Sequence, residues 1–177
     1  LCRRLKTMKI RTILGGPHPT YYPEVIYHEG VDLISRGESE GALLDLLGAL
    51  KEDKNIKRIP NLWVKEGKKI YRNAPRSLIE NLDTLPDPDR EIYYQRYPFL
   101  AKISVKQFLT GRGCPYRCTF CSNHLLRKLY QGKGTYLRRR SPSRVIEEIL
   151  KVKTEVGLKT VSFTDDVLAV DFNWLDQ

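Results

Sequence analysis

Parallel-strand α/β architecture, in two parts joined by a linker, is the fold class this sequence predicts, and three observations carry that reading. A short apolar run ends in Gly15-Gly16 and is followed by a second strand-like run and a Leu-rich periodic segment. Near the other end a strand, a long loop, a helix and a strand follow one another. Between them lies a proline-bearing stretch that fits neither regular helix nor central strand.

The elements are justified in chain order. Lys9 to Leu14 contains Ile10, Ile13 and Leu14 and stops at Gly15-Gly16-Pro17-His18-Pro19, so a strand running into a loop is expected. Val31 to Ser35 is the next strand. Leu43, Leu44, Leu46, Leu47 and Leu50 then mark a helix that Glu38 or Ser39 can cap. Strand, loop, helix, strand and helix make the tail of an open α/β domain. Asn61 to Lys65 and Lys68 to Arg72 flank Glu66-Gly67 as a β-hairpin, an insert or an edge. Residues 73–98, with Leu85-Pro86-Asp87-Pro88-Asp89 and a Tyr-rich stretch, are expected to be an irregular linker. Ser104 to Leu109 restarts the pattern. Ser141-Pro142 opens a helix that Gly157 closes, and Thr160 to Thr164 is a strand leading to Asp165-Asp166. That βα unit implies a parallel sheet. The domain limits expected are 1–72, 73–98 and 99–177.

The 177 residues carry 31 Lys plus Arg against 21 Asp plus Glu, a net charge of +10. With 41% hydrophobic and 29% charged residues the composition is that of a folded chain and excludes disorder and collagen-like repeats. No run reaches the roughly 18 to 20 apolar residues of a membrane-spanning helix, and Leu1-Cys2-Arg3-Arg4 lacks the apolar core of a signal peptide. A cytoplasmic protein is expected. The start at Leu1 and the stop at Gln177 read as those of a fragment, whose 177 residues alone are expected to be inactive.

Three of the four Cys lie in Cys114-Pro115-Tyr116-Arg117-Cys118-Thr119-Phe120-Cys121. Clustered thiols in a reducing compartment suggest a metal. Zinc would ask for a fourth ligand, for which His124 is the nearby residue. An iron–sulfur cluster accepts thiolates from one loop, and three of them leave one iron of a four-iron cluster open to substrate or cofactor. Between Ile92 and Ile146 there are twelve Lys or Arg and no Asp or Glu. A field of that sign favours an anionic cluster and a carboxylate-bearing ligand. The other reading makes Arg127 to Arg144 a solvated or nucleic-acid-binding face.

Thr110-Gly111-Arg112-Gly113, the CxxxCxxC spacing and Phe120 before the last Cys together resemble the signature of radical S-adenosylmethionine enzymes. The resemblance implies that Cys114, Cys118 and Cys121 hold a [4Fe–4S] cluster whose fourth iron is chelated by S-adenosylmethionine. One-electron reduction then releases a 5′-deoxyadenosyl radical. It also implies that Phe120 contacts the adenine and that Asp165 and Asp166 stand where an acidic segment receives the methionine amino group. Here the segment is Thr-Asp-Asp rather than the frequent Gly-Gly-Glu, and a second reading has the pair capping a following helix.

Gly15-Gly16-Pro17-His18-Pro19-Thr20 lets a bulky ligand lie against backbone at a strand end. With Arg36-Gly37-Glu38-Ser39-Glu40 and Leu85-Pro86-Asp87, it is similar to the last part of the cobalamin-binding domain that precedes many radical S-adenosylmethionine enzymes. The resemblance implies that Gly15, Gly16 and His18 are cobalamin contacts, His18 as a loop-shaping or tail-contacting residue. It also implies a Rossmann-like front part followed by the start of a partial (β/α) barrel. The Asp-x-His-x-x-Gly segment of that family does not occur in these residues. The expected activity is radical chemistry at an unactivated carbon, cobalamin-dependent methylation first. The implied partners are a small-molecule, lipid or tetrapyrrole-like substrate and an external one-electron donor. The alternatives are a cobalamin-independent oxidative cyclase or tRNA methylthiotransferase, and a non-catalytic metal-bearing RNA-binding module.

Overall fold

A computed structural model describes residues 1–177. They form two compact units, one of residues 1–78 with 117–134, the other of 79–116 with 135–177. The expected domain limits followed chain order. The units follow spatial proximity, which takes 117–134 together with 1–78.

The first unit opens with the short helix α1 (Cys2–Thr7) and is built on a four-stranded sheet. β1 (Ile13–Leu14) runs parallel to β2 (Leu33–Ser35), with Ile13 opposite Leu33. The hairpin of β3 (Leu62–Glu66) and β4 (Lys69–Arg72) continues the sheet antiparallel, so the expected hairpin is an edge. Alternation along β2 divides the core between the two faces of the sheet. Leu33 joins Ala42, Leu46, Ile59, Leu62 and Val64 under helix α3 (Glu40–Lys51). Ile34 joins Ile26 and Val31 beside a 3-10 turn over Pro23–Tyr27. Each such buried aliphatic side chain contributes about 1.5–3 kcal/mol.

Two local expectations change here. Gly15 to Pro19 is expected to be loop, yet helix α2 (Pro17–Tyr21) begins inside it. Pro17 and Pro19 lie in a first turn whose N–H groups have no intrahelical acceptor, so their missing donors cost nothing there. Ser39 stands at the N-cap of α3 without a side-chain cap bond. Its hydroxyl lies 2.7 Å from that of Ser35 instead.

The second unit places β5 (Val105–Phe108) parallel to β8 (Thr160–Phe163), with Val105 opposite Thr160, as the βα reading required. Helix α7 (Pro142–Val156) connects them, with the Ser141 side chain accepting the Arg144 N–H as its N-cap and Gly157 ending it at φ 70°. Its buried positions are Val145, Glu148 and Val152, spaced to face one side.

The linker is more regular than expected. After a 3-10 turn at Leu82–Thr84 come helices α4 (Glu91–Arg96) and α5 (Pro98–Lys102). The prolines exclude helix only where a residue must donate to the preceding turn: Pro88 lies ahead of α4, and Pro98 takes the first position of α5. The stretch is also fastened to its unit. The Asp83 carboxylate accepts the Ser141 N–H at 2.9 Å, and Asp87 pairs with Arg140 and Arg144 at 3.3 and 3.2 Å.

Candidate functional site

In the second unit the parallel strands bring their C-terminal ends together. Thr110, fully buried just beyond β5, donates its N–H at 3.0 Å and its hydroxyl at 2.8 Å to the Asp165 carboxylate just beyond β8. Thr164 donates its N–H to the Phe108 carbonyl at 2.9 Å. From this clip the chain enters β6 (Gly111–Arg112), which pairs antiparallel with β7 (Arg138–Arg139). Gly113 follows at φ 89°, where a Cβ would meet the Tyr136 carbonyl oxygen at 2.3 Å. Both the backbone angle and the close approach require glycine. Cys114 comes next and is buried.

Cys118 and Cys121 belong to the first unit. Cys118 is exposed and Cys121 half-buried, and the Cys121 N–H donates to the Cys118 carbonyl at 3.1 Å, a turn that feeds helix α6 (Asn123–Leu129). Phe120 is 91% exposed. None of the four cysteines is in a disulfide. No three of the chain's His, Cys, Asp and Glu side chains are drawn close enough together to hold an ion in this conformation. The donor set still suits an iron–sulfur cluster, with three cysteine thiols outside any disulfide on one eight-residue loop that contains no carboxylate.

The other expected residues take varied positions. A Cβ on Gly15 or Gly16 would meet nothing within 4 Å, so the backbone there is open. His18 is exposed and stacked on Tyr22 with ring centroids 5.9 Å apart. Asp165 is engaged by Thr110, Asp166 is exposed, and neither caps a helix; that role falls to Asp171 at the start of α8 (Phe172–Leu175). The Arg36 guanidinium donates to the Thr20 carbonyl and lies over Trp63, and burial holds its pKa below the ordinary arginine value.

Much of the basic stretch is consumed by the fold. Arg138 is buried and donates to the Ile79 carbonyl at 2.8 Å, and Arg139 donates to the Leu168 carbonyl and lies over Trp174. Arg140 pairs with Glu148 and Asp87, and Arg144 with Glu147 and Asp87. Lys106 is buried, donating to the carbonyls of Leu100 and Ala101. Arg138 to Arg144 is therefore not the free cationic face that the nucleic-acid reading needs. Thr110 and Tyr130 are both buried, and composition or spacing gives no sign of either.

No family model matches the chain. It is 34% identical over 161 residues to an uncharacterised methyltransferase of Pyrococcus horikoshii, covering 90% of this chain and 34% of that protein. It is 29% identical over 163 residues to the anaerobic magnesium-protoporphyrin IX monomethyl ester cyclase of Cereibacter sphaeroides, covering 87% of this chain and 25% of that one. Its fold matches that of a radical S-adenosylmethionine methyltransferase, TsrM, from Kitasatospora setae, solved with cobalamin and a [4Fe–4S] cluster bound. The TM-score is 0.62 at 18% identity, over 93% of this chain and 32% of the other. The chain is also similar, 27% identical over 121 residues, to the cobalamin-dependent radical S-adenosylmethionine methyltransferase TokK of Streptomyces tokunonensis, covering 63% of this chain and 18% of that one. It spans about a third or less of the length of these curated relatives.

Proposed function

We propose that the protein to which these residues belong is a cobalamin-dependent radical S-adenosylmethionine methyltransferase acting on an unactivated carbon of a small molecule. The observation that carries this reading is the all-sulfur donor set Cys114, Cys118 and Cys121 within eight residues of sequence, its first member following β6 in the second unit. Open α/β folds and barrels bind their ligands at the C-terminal end of the parallel strands. The three thiolates would hold a [4Fe–4S] cluster, which when bound supplies the electron that opens S-adenosylmethionine.

The chain's own residues bind and orient. Gly113 and the Asp165–Thr110 clip fix the backbone from which Cys114 projects. The exposed ring of Phe120 offers a stacking surface for adenine, and the exposed carboxylate of Asp166 can accept the methionine amino group. Asp165 serves through its tie to Thr110. The open backbone at Gly15 and Gly16, with His18 beside it, is the surface for cobalamin. The proposed partners are a small-molecule substrate and an external one-electron donor, in the cytoplasm. No helix here is long and apolar enough to cross a membrane.

The test is made on the complete protein, purified without oxygen, by measuring iron, sulfide and cobalt per chain and 5′-deoxyadenosine after reduction. About four irons with cobalt and cleavage are expected. Cleavage without cobalt would transfer the assignment to a cobalamin-independent oxidative cyclase or tRNA methylthiotransferase. Zinc in place of iron would overturn the radical mechanism.

A further inference from the structure

Resting on the proposed function, we infer that Tyr130 is a positioning residue that sets the turn bearing Cys118 and Cys121 in register with the glycine loop of the first unit. The Tyr130 hydroxyl accepts the Glu38 N–H at 2.6 Å, across 92 positions of sequence, and the residue is only 3% exposed. Its ring fills the space over Gly37. That glycine sits at φ 75°, and a Cβ there would lie 2.0 Å from the hydroxyl oxygen and 2.7 Å from Cζ. Conformation and close approach both exclude a side chain at position 37.

The same node holds the glycine loop. Thr20 accepts the Gly37 N–H on its hydroxyl at 3.0 Å, and that hydroxyl donates to the Gly16 carbonyl at 2.7 Å. The Arg36 guanidinium donates to the Thr20 carbonyl. Helix α2, which begins at the glycine loop, also lies against α6. On the cysteine side the path is short: Cys121 is followed by Ser122, the N-cap of α6, and Tyr130 is that helix's C-cap residue. Beyond it the Lys133 N–H donates to the Tyr130 carbonyl, and the Leu78 N–H donates to the Lys133 carbonyl at 2.7 Å, so the segment is pinned on its return as well. A helix anchored at its end carries the turn at its start as a rigid body. The position of Cys118 and Cys121 relative to Gly16 is thus decided at Tyr130, far from either cysteine in chemical character.

Two variants of the complete protein test this. In Tyr130→Phe the ring remains and only the hydroxyl is lost. Amide hydrogen exchange of the metal-free protein is expected to quicken about fivefold or more at Glu38 and along residues 118–129, with global unfolding little changed. In the reconstituted protein the reduced cluster's electron paramagnetic resonance signal should broaden or shift while iron content stays at the unsubstituted level. Gly37→Ala should disturb both readouts more strongly, and its effect on them should shrink when Tyr130→Ala is added, because the ring it strikes is gone. Unchanged exchange at 118–129 in both single variants would sink the positioning role whatever metal the protein holds. A protein that takes up no iron but shows the exchange change would instead sink the proposed function and leave the register intact.

Discussion

Thr110 gives both its N–H and its hydroxyl to the carboxylate of Asp165, at 3.0 and 2.8 Å, and so joins the ends of two parallel strands that lie 55 residues apart in sequence. A carboxylate held by two donors from one buried residue is a structural tie at the mouth of the proposed site. Asp165→Asn keeps the size but replaces one acceptor oxygen by a donor facing donors. It should destabilise the protein by about 1–3 kcal/mol, read by chemical denaturation. An unchanged denaturation midpoint would refute the tie.

Glu148 is 2% exposed and pairs with Arg90 at 2.9 Å and with Arg140. Arg90 also donates to the Gln107 carbonyl and lies over the Phe108 ring. Removing the acid takes the shared carboxylate from Arg90 and Arg140 in a confined space, so Glu148→Ala should cost about 3–5 kcal/mol. Asp87→Ala, whose carboxylate makes longer contacts nearer solvent, should cost clearly less. Denaturation midpoints for the two variants give the comparison.

At the start of α7, Ser141 accepts the Arg144 N–H at 3.3 Å. Ser141→Ala should lower stability by about 1 kcal/mol and Ser141→Asp should largely preserve it. If alanine is neutral, the helix start is held by Asp83 and Pro142 alone.

Glu66 and Lys57 meet at 2.7 Å on the surface of the first unit, and the Lys57 ammonium holds the Glu66 carboxyl below its ordinary value. Its folded-state pKa being lowered, the pair's support for folding is present above the unfolded value of 4.5 and is lost as pH falls through the folded value. A nuclear magnetic resonance titration of Glu66 should place its midpoint below 4.5, and Lys57→Gln should bring it back up. Raising the salt concentration should shift the unsubstituted protein the same way.

The alternation of apolar residues, the caps and the Gly and Pro punctuation made the two parallel-strand pairs, the β3–β4 hairpin and helix α7 legible. These are local preferences and periodicities, which neighbouring residues express without help. The cysteine loop was legible for a different reason: three thiols at that spacing have few chemical uses. Helix α4 was not foreseen, because prolines at 88 and 98 suggested irregularity when their positions in fact bracket a turn of helix.

What only the tertiary structure decided is where charge and polarity are spent. The run Arg138 to Arg144 could have faced solvent or nucleic acid by composition alone. Its carbonyl and carboxylate partners, Ile79, Asp87, Glu148 and Leu168, lie anywhere from 8 to 59 positions away. The same holds for Asp165, whose partner is Thr110, and for Tyr130, whose partner is Glu38. Such pairings depend on which backbone groups the folded chain leaves without an acceptor or donor, and that is settled only when the strands and helices have docked.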